Sequence, residues 1–181
     1  MRWKISIGKN KRYLTPQAAI AMNTAYLLIG SNRGNRLAVL QQARERIATS
    51  CGNILQQSSV YQTAAWGLED QDDFLNQVIA IETALDASTL LQQALAIENE
   101  LGRVRTIKYG PRVIDIDILF FNLDIVRQEN LVVPHPQLQN RRFVLVPLAE
   151  IAPSLLHPVL QKTVAQLLKD CPDTLAVQKF Q

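Results

Sequence analysis

Two aspartates, Asp115 and Asp117, stand two residues apart inside the apolar, β-branched run Gly110 to Phe121, GPRVIDIDILFF. Residues i and i+2 of a strand point to the same face, so both carboxylates project side by side. Their Cα atoms would lie roughly 6.5–7 Å apart, within reach of ions about 3.5–4 Å from each other. Asp is disfavoured in strands, and neighbouring like charges are costly without a compensating cation. Mg²⁺ supplies that compensation, since it prefers one or two carboxylates together with phosphate oxygens and water. The pair therefore points to phosphoryl-transfer chemistry. A half-exposed strand with a polar outer face would also place acids two apart. Such a face ordinarily carries Thr, Lys or mixed charges, not two acids flanked by Ile and Val.

The residues before the pair favour the metal reading. Arg103, Arg105, Lys108 and Arg112 fall within ten positions, in a segment that also holds Gly102, Gly110 and Pro111. A solvated basic loop is the plainer account of such a cluster. The rigid fork of arginine, however, suits bidentate phosphate contacts, and a loop joining a helix C-terminus to the aspartate strand could close over a triphosphate. No GxxxxGK[ST] and no Gly-rich kinase loop is present, which argues against those phosphoryl-transfer classes. His135, between two prolines, is a candidate phosphate donor. His157, in a Leu-His-Pro turn, has less to recommend it. Phe74 and Phe143 read as core residues by type alone. Asn76 shares a strand face with Phe74 and could both donate and accept in a buried pocket.

These residues need a scaffold. Residues 24–29 (TAYLLI) form a buried strand that ends in the turn cluster Gly30-Ser31-Asn32. Asn35 caps a helix to about Ser50, with Leu37, Leu40, Ala43 and Ile47 on its apolar face. A second strand runs from Ile54 to Tyr61, and a loop rich in Gly, Ala and acids covers Thr63 to Asp73. A third strand, FLNQVIAIET, spans Phe74 to Thr83. Ser88 caps a helix through Leu101, stopped by Gly102. The arginine loop and the aspartate strand follow. Short strands are expected at Ile125-Val126 and around Leu131 to Val133, and helical turns near Phe143 to Glu150 and Val164 to Lys169. The order β-α-β-β-α-β predicts an α+β, ferredoxin-like core with a mainly antiparallel sheet and extra C-terminal strands and helices.

A chain of 181 residues, 48% hydrophobic, fits one globular domain. No apolar run approaches the ~20 residues of a membrane span. Cys51 and Cys171 match no metal or redox spacing and read as reduced thiols in a cytoplasmic protein. The net charge of +3 is unevenly spread. Arg2, Lys4, Lys9, Lys11 and Arg12 stand in residues 1–22 with no acid, leaving 14 basic and 16 acidic residues beyond. The body is thus not a basic nucleic-acid binder. Residues 1–22 are expected to be a basic extension ahead of a single domain over 23–181, with Met22 the functional start.

Taken together, the chain resembles the 6-hydroxymethyl-7,8-dihydropterin pyrophosphokinases of folate biosynthesis over residues 24–170. The resemblance rests on GSN at Gly30 to Asn32, Tyr61-x-Thr63, Gly67 followed by Asp70 to Asn76, and GRVR at Gly102 to Arg105. It extends through GPRVIDIDIL at Gly110 to Leu119, and VPHP with NRRFVLVPL over Val133 to Leu148.

The resemblance implies transfer of an intact pyrophosphoryl group from ATP to the dihydropterin hydroxymethyl group, with release of AMP. It assigns Asp115 and Asp117 to two Mg²⁺ ions and makes Arg103 and Arg112 the loop arginines that stabilise the phosphates. It places Glu98, Arg105, Ile118, His135 and Arg141 at the nucleotide. Phe74 and Phe143 would sandwich the pterin, Asn76 would read its edge, and Thr63, Ala65 and Trp66 would complete the slot. A flat heterocycle with a polar edge suits this combination of stacking and amide pairing. The chain departs from the family at Ala64-Ala65, where proline is common, at Pro136, where a tyrosine often sits, and at Leu95, in place of a polar residue. The arginine loop is also a residue short. These departures bear on nucleotide affinity and loop timing. Small-molecule substrates, a monomer, and no nucleic-acid or membrane partner are expected.

Two other classes fit the sequence less well. A different two-metal enzyme on a ferredoxin-like fold, such as a nucleotidyl transferase or cyclase, would leave the pterin-stacking residues without a purpose. An RNA-binding module would need exposed aromatics among basic residues on its central strands. Here aromatics are 6% of the chain, and the aspartates would repel phosphate.

Overall fold

The computed structural model describes residues 21–64, 72–103 and 112–181. Its two central strands are the two longest among the described residues. β1 (Asn23–Ser31) and β4 (Phe74–Thr83) pair antiparallel along their length. Seven consecutive residues of β4, Leu75 to Ile81, are buried. A strand covered on both faces loses alternation, which is why five of these seven residues are apolar, Asn76 and Gln77 being the exceptions.

β5 (Asp115–Phe121) forms one edge beside β1, and β2 (Asn53–Gln57) and β3 (Tyr61–Thr63) pair with the other side of β4. All these pairings are antiparallel. Helix α1 (Arg36–Ser50) joins β1 to β2, and α2 (Ala87–Glu100) joins β4 to β5. This is the expected split βαβ topology.

α1 and α2 cover one face of the sheet, where Leu27, Ile29, Leu40, Ile47, Leu90, Ile97 and Ile116 share a core. Helices α3 (Arg142–Ile151) and α4 (Val164–Asp170) cover part of the other face, against Leu28, Val78, Leu119 and Phe120. Each large apolar side chain so buried contributes roughly 1.5–3 kcal/mol, against about 0–1 for an exposed ion pair such as Arg46–Glu100. The two apolar layers, not the surface charges, hold the fold. A β-bulge in β5 lets Leu119 and Phe120 both reach the second core: register slips between Tyr26 opposite Phe120 and Leu27 opposite Ile118.

Several details differ from the sequence expectation. The second strand breaks after Gln57, because Ser58 turns its hydroxyl to accept the N–H of Val78 at 3.0 Å and pairing resumes only at Tyr61. Asp86, not Ser88, caps α2: its carboxylate accepts from the Thr89 N–H at 2.7 Å, while the Ser88 hydroxyl donates to Gln128. Leu37 is 46% exposed and lies off the buried stripe of α1. Gly102 does end α2's run, with φ +87. The pair β6 (Val126–Gln128) and β7 (Leu131–Val133) forms its own two-stranded sheet. Strand β8 (Val177–Lys179), three residues with no periodicity to betray it, extends the main sheet by pairing with β3. No described helix is long and apolar enough to cross a membrane. Residues 1–20 of the expected N-terminal extension lie outside the described residues.

Candidate active site

Antiparallel register brings the chemistry into one row across the sheet. Gly30 on β1 pairs with Asp115 on β5 on one side and with Asn76 on β4 on the other, and Asn76 pairs in turn with Tyr61 on β3. Directly paired residues share a face, so Asp115 and Asn76 flank a position with no side chain. Adjacent strands are about 4.8 Å apart, which sets the two groups roughly 10 Å from each other. One step along, Asp117 pairs with Leu28 on the same face. At the other end, Phe74 pairs with Thr63.

α3 and α4 leave this end of the sheet face uncovered. A cavity of about 380 Å³ opens there, bounded by Phe74, Asn76, Thr63 and Phe143 at one end and by Arg103, Arg112, Asp115 and Asp117 at the other. His135, Arg141 and Glu98 also line it, so eleven of the expected site residues meet in one small-molecule-sized space. Ile118 does not line it: its side chain packs in the helix-covered core, so any nucleotide contact it makes runs through its backbone. Ala65, Trp66 and Arg105 lie outside the described residues. Leu28, Gly30, Leu91, Leu95 and Asn130 line the cavity as well. Of these, Leu95 alone carries a sequence signal for a place in the site; an asparagine in a hairpin turn, such as Asn130, offers none.

Electrostatics dominate the Asp end. Arg103 contacts Oδ1 of Asp115 at 2.6 Å, and Arg112 contacts Oδ2. Arg103 also contacts Oε2 of Glu98, whose Oε1 accepts the Ile116 N–H at 2.7 Å. Glu98 is 2% exposed and sits on the buried stripe of α2 with Ala87, Leu90, Ala94 and Ile97. An acid on an apolar stripe marks it as a partnered group. Burial pushes its carboxyl up, while the Ile116 N–H and Arg103 pull it back toward the ionised form. Burial also raises Asp117 to about 7, with the Asp115 charge adding to the shift and Arg141 opposing it. Two carboxylates this close cannot both ionise freely without a cation.

His135 is tied to β5 by its backbone N–H, which donates to Leu119 O at 3.0 Å. Burial and the Arg141 charge lower its pKa to about 4. Its Nδ1 accepts from the Gln137 N–H at 3.3 Å, so the neutral ring carries its proton on Nε2. Arg141, the residue before α3, stacks its guanidinium 5.8 Å over the Phe143 ring. The Asn76 amide donates to Thr63 Oγ1 at 2.8 Å, which fixes the direction of its oxygen. Asn32, 1% exposed, accepts the Arg112 N–H at 2.7 Å and donates to Asp72 O at 3.2 Å, tying Arg112 and Asp72 together through one side chain.

The family model for 7,8-dihydro-6-hydroxymethylpterin-pyrophosphokinase (HPPK) matches residues 26–153. The chain belongs to this family. The 2-amino-4-hydroxy-6-hydroxymethyldihydropteridine pyrophosphokinase of Methylorubrum extorquens is 49% identical over 136 residues, covering 75% of this chain and 86% of that one. The enzyme of the same name from Bacillus subtilis is 45% identical over 130 residues, covering 71% and 78% respectively. Among solved structures, Plasmodium falciparum HPPK-DHPS with pteroate superposes with a TM-score of 0.70 at 17% identity. That match covers 83% of this chain and 42% of the Plasmodium chain, so this chain spans about two fifths of its length.

Proposed function

We propose that this protein transfers a pyrophosphoryl group from ATP to the hydroxymethyl oxygen of 6-hydroxymethyl-7,8-dihydropterin. The substrate oxygen bonds to the β-phosphorus, the bond from that phosphorus to the α–β bridging oxygen breaks, the hydroxyl proton is lost and AMP leaves. The observation that carries this reading is the row Asp115–Gly30–Asn76, which sets a buried amide and a cluster of acids and arginines on one open sheet face.

In this reading Phe74 and Phe143 stack on the pterin, and Asn76, held by Thr63, reads its polar edge, with Ala65 and Trp66 closing the slot. Arg103, Arg105, Arg112, Arg141 and the neutral Nε2–H of His135 contact the nucleotide, whose adenine lies toward α2, near Glu98. The donors at the other end fit Mg²⁺: two strand carboxylates on one face, hard oxygens with no thiol beside them. Asp115 and Asp117 would hold two such ions. Bound there, magnesium would offset charge on the phosphates and acidify the attacking hydroxyl. Arg103 and Arg112 then face the charge that develops on the transferring group. The folate pathway, a cytoplasmic setting and a monomeric state complete the proposal.

The test is AMP release from ATP and Mg²⁺ with and without the dihydropterin. AMP that appears only with the pterin, matched by a pterin diphosphate, is the expected outcome. ADP or free pyrophosphate would instead indicate a kinase or a nucleotidyl transferase.

A further inference from the structure

Both oxygens of Asp115 are taken. Oδ1 faces Arg103 at 2.6 Å and Oδ2 faces Arg112, and the same terminal nitrogen of Arg103 contacts Glu98. Three acids at this end of the cavity, Glu98, Asp115 and Asp117, are matched by Arg103, Arg112 and Arg141. Counted as fully ionised, these six side chains sum to zero charge.

We propose that Arg103 and Arg112 occupy the cation position of Asp115 in the nucleotide-free protein and are exchanged for the divalent metal only when it arrives with its nucleotide. This rests on the metal and nucleotide assignment made above and adds how the site is kept before they bind. The physical reason lies in the charges. A bare dication entering the cluster meets two guanidiniums in a partly buried space and offers them no new acceptor, so it must displace them against like-charge repulsion. A metal–triphosphate complex carries net negative charge. It gives each displaced guanidinium a phosphate oxygen, a partner of the kind arginine's fork suits. The arginines thus pass from carboxylate to phosphate in the step that seats the metal. Arg112 is the less firmly held of the two: its side chain is 26% exposed and pairs with Asp115, whereas that of Arg103 is 13% exposed and is also anchored by Glu98.

The probe is Mn²⁺ alone, titrated into nucleotide-free protein and followed by electron paramagnetic resonance. A neighbouring guanidinium shifts a carboxylate's proton affinity by about one to three pKa units, so Arg112→Ala and Arg112→Gln should bind Mn²⁺ about tenfold or more tightly than the unaltered chain. Adding Asp115→Asn to either variant should abolish the gain. Equal or weaker Mn²⁺ binding in the arginine variants overturns the proposal, as does tight Mn²⁺ binding by the unaltered protein. Guanidinium NMR on the unaltered chain provides a test free of folding effects. The Arg103 and Arg112 Nε–Hε resonances should move with Mg²⁺ plus α,β-methylene-ATP and stay in place with Mg²⁺ alone; movement with Mg²⁺ alone overturns the exchange. Product analysis on the unaltered chain separates this from the proposed reaction: if the arginine variants gain Mn²⁺ while the unaltered chain makes no AMP, the exchange stands and the activity falls.

Discussion

A β-carbon placed on Gly30 would stand 2.6 Å from Oδ1 of Asn76. The glycine therefore does two things: it leaves the middle of the row free of side chains, and it lets the Asn76 oxygen lie over the strand beside it while the amide nitrogen holds Thr63. Gly30→Ala forces Asn76 to move. Over-packing of this kind costs about 1–3 kcal/mol, and the Asn76–Thr63 hydrogen bond cannot keep its geometry. We expect a folded protein with a lowered Tm and pterin affinity reduced by at least about tenfold, since roughly 1.4 kcal/mol suffices for that loss. Fluorescence titration with the dihydropterin checks it; unchanged affinity would show that the Asn76 amide does not read the substrate.

The two aspartates should separate by stability. Asp115→Asn deprives Arg103 and Arg112 of their shared partner, leaving Arg103 with Glu98 and the partly buried Arg112 to find a new one, so its Tm should fall. Asp117→Asn removes a carboxylate whose ionised form burial disfavours, and its Tm should stay level or rise. Each change should lower turnover roughly a thousandfold, because metal-assisted charge stabilisation is worth several kcal/mol. Either variant retaining full turnover would remove that residue from the reaction.

His135 should not titrate across the physiological range. Its pKa is lowered from 6.5 to about 4, chiefly by burial and then by Arg141. The imidazole therefore stays neutral as pH falls from 8 to 5. Nitrogen-detected NMR should show the Nε2–H tautomer throughout that range, in keeping with the Gln137 hydrogen bond to Nδ1. A midpoint near 6.5 would make the ring a cation-switching group instead of a fixed neutral donor.

Glu150 pins α3 to β3 and to the edge strand β8. It accepts from the Ser59 N–H and hydroxyl, from the Tyr61 hydroxyl at 3.0 Å and from Lys179 on β8. Burial would raise its carboxyl, but the Lys179 and Ser59 hydrogen bonds, and then that from Tyr61, outweigh it and hold the group at about 2. A folded-state pKa below the unfolded 4.5 means stability that is present above pH 4.5 and lost as pH falls toward 2. Discounted for exposure, Glu150→Gln should cost about 1 kcal/mol at pH 7, or about 2–4 °C in Tm. Parallel melts of both proteins should converge as pH drops through that window; a constant gap would refute the assignment.

Local pattern in the chain was enough to set the element order, the shared face of Asp115 and Asp117, the stop at Gly102 and the nearness of arginines to the acids. Each of these depends on residues a few positions apart, and the two-residue and 3.6-residue periods record them directly. Motif spacing carried the family, and with it the expectation that Phe74, Asn76 and Phe143 act together. Their meeting with Asp115 is a matter of register: Gly30 between Asn76 and Asp115 follows from how β4 and β5 slide against β1, which no single segment encodes. The same holds for what lies open. Phe74 and Val78 share a strand face, yet α3 and α4 bury Val78 in a core and leave Phe74 lining the cavity. Glu98 looks like an ordinary helical acid until Arg103 and the Ile116 N–H close on it. Strand β8 owes its existence to β3, since three residues have no stability of their own. Sequence thus determined which side chains could do chemistry and on which element each stands. Tertiary packing decided which of them face a common space, because long-range contacts, and not local periods, choose what is covered.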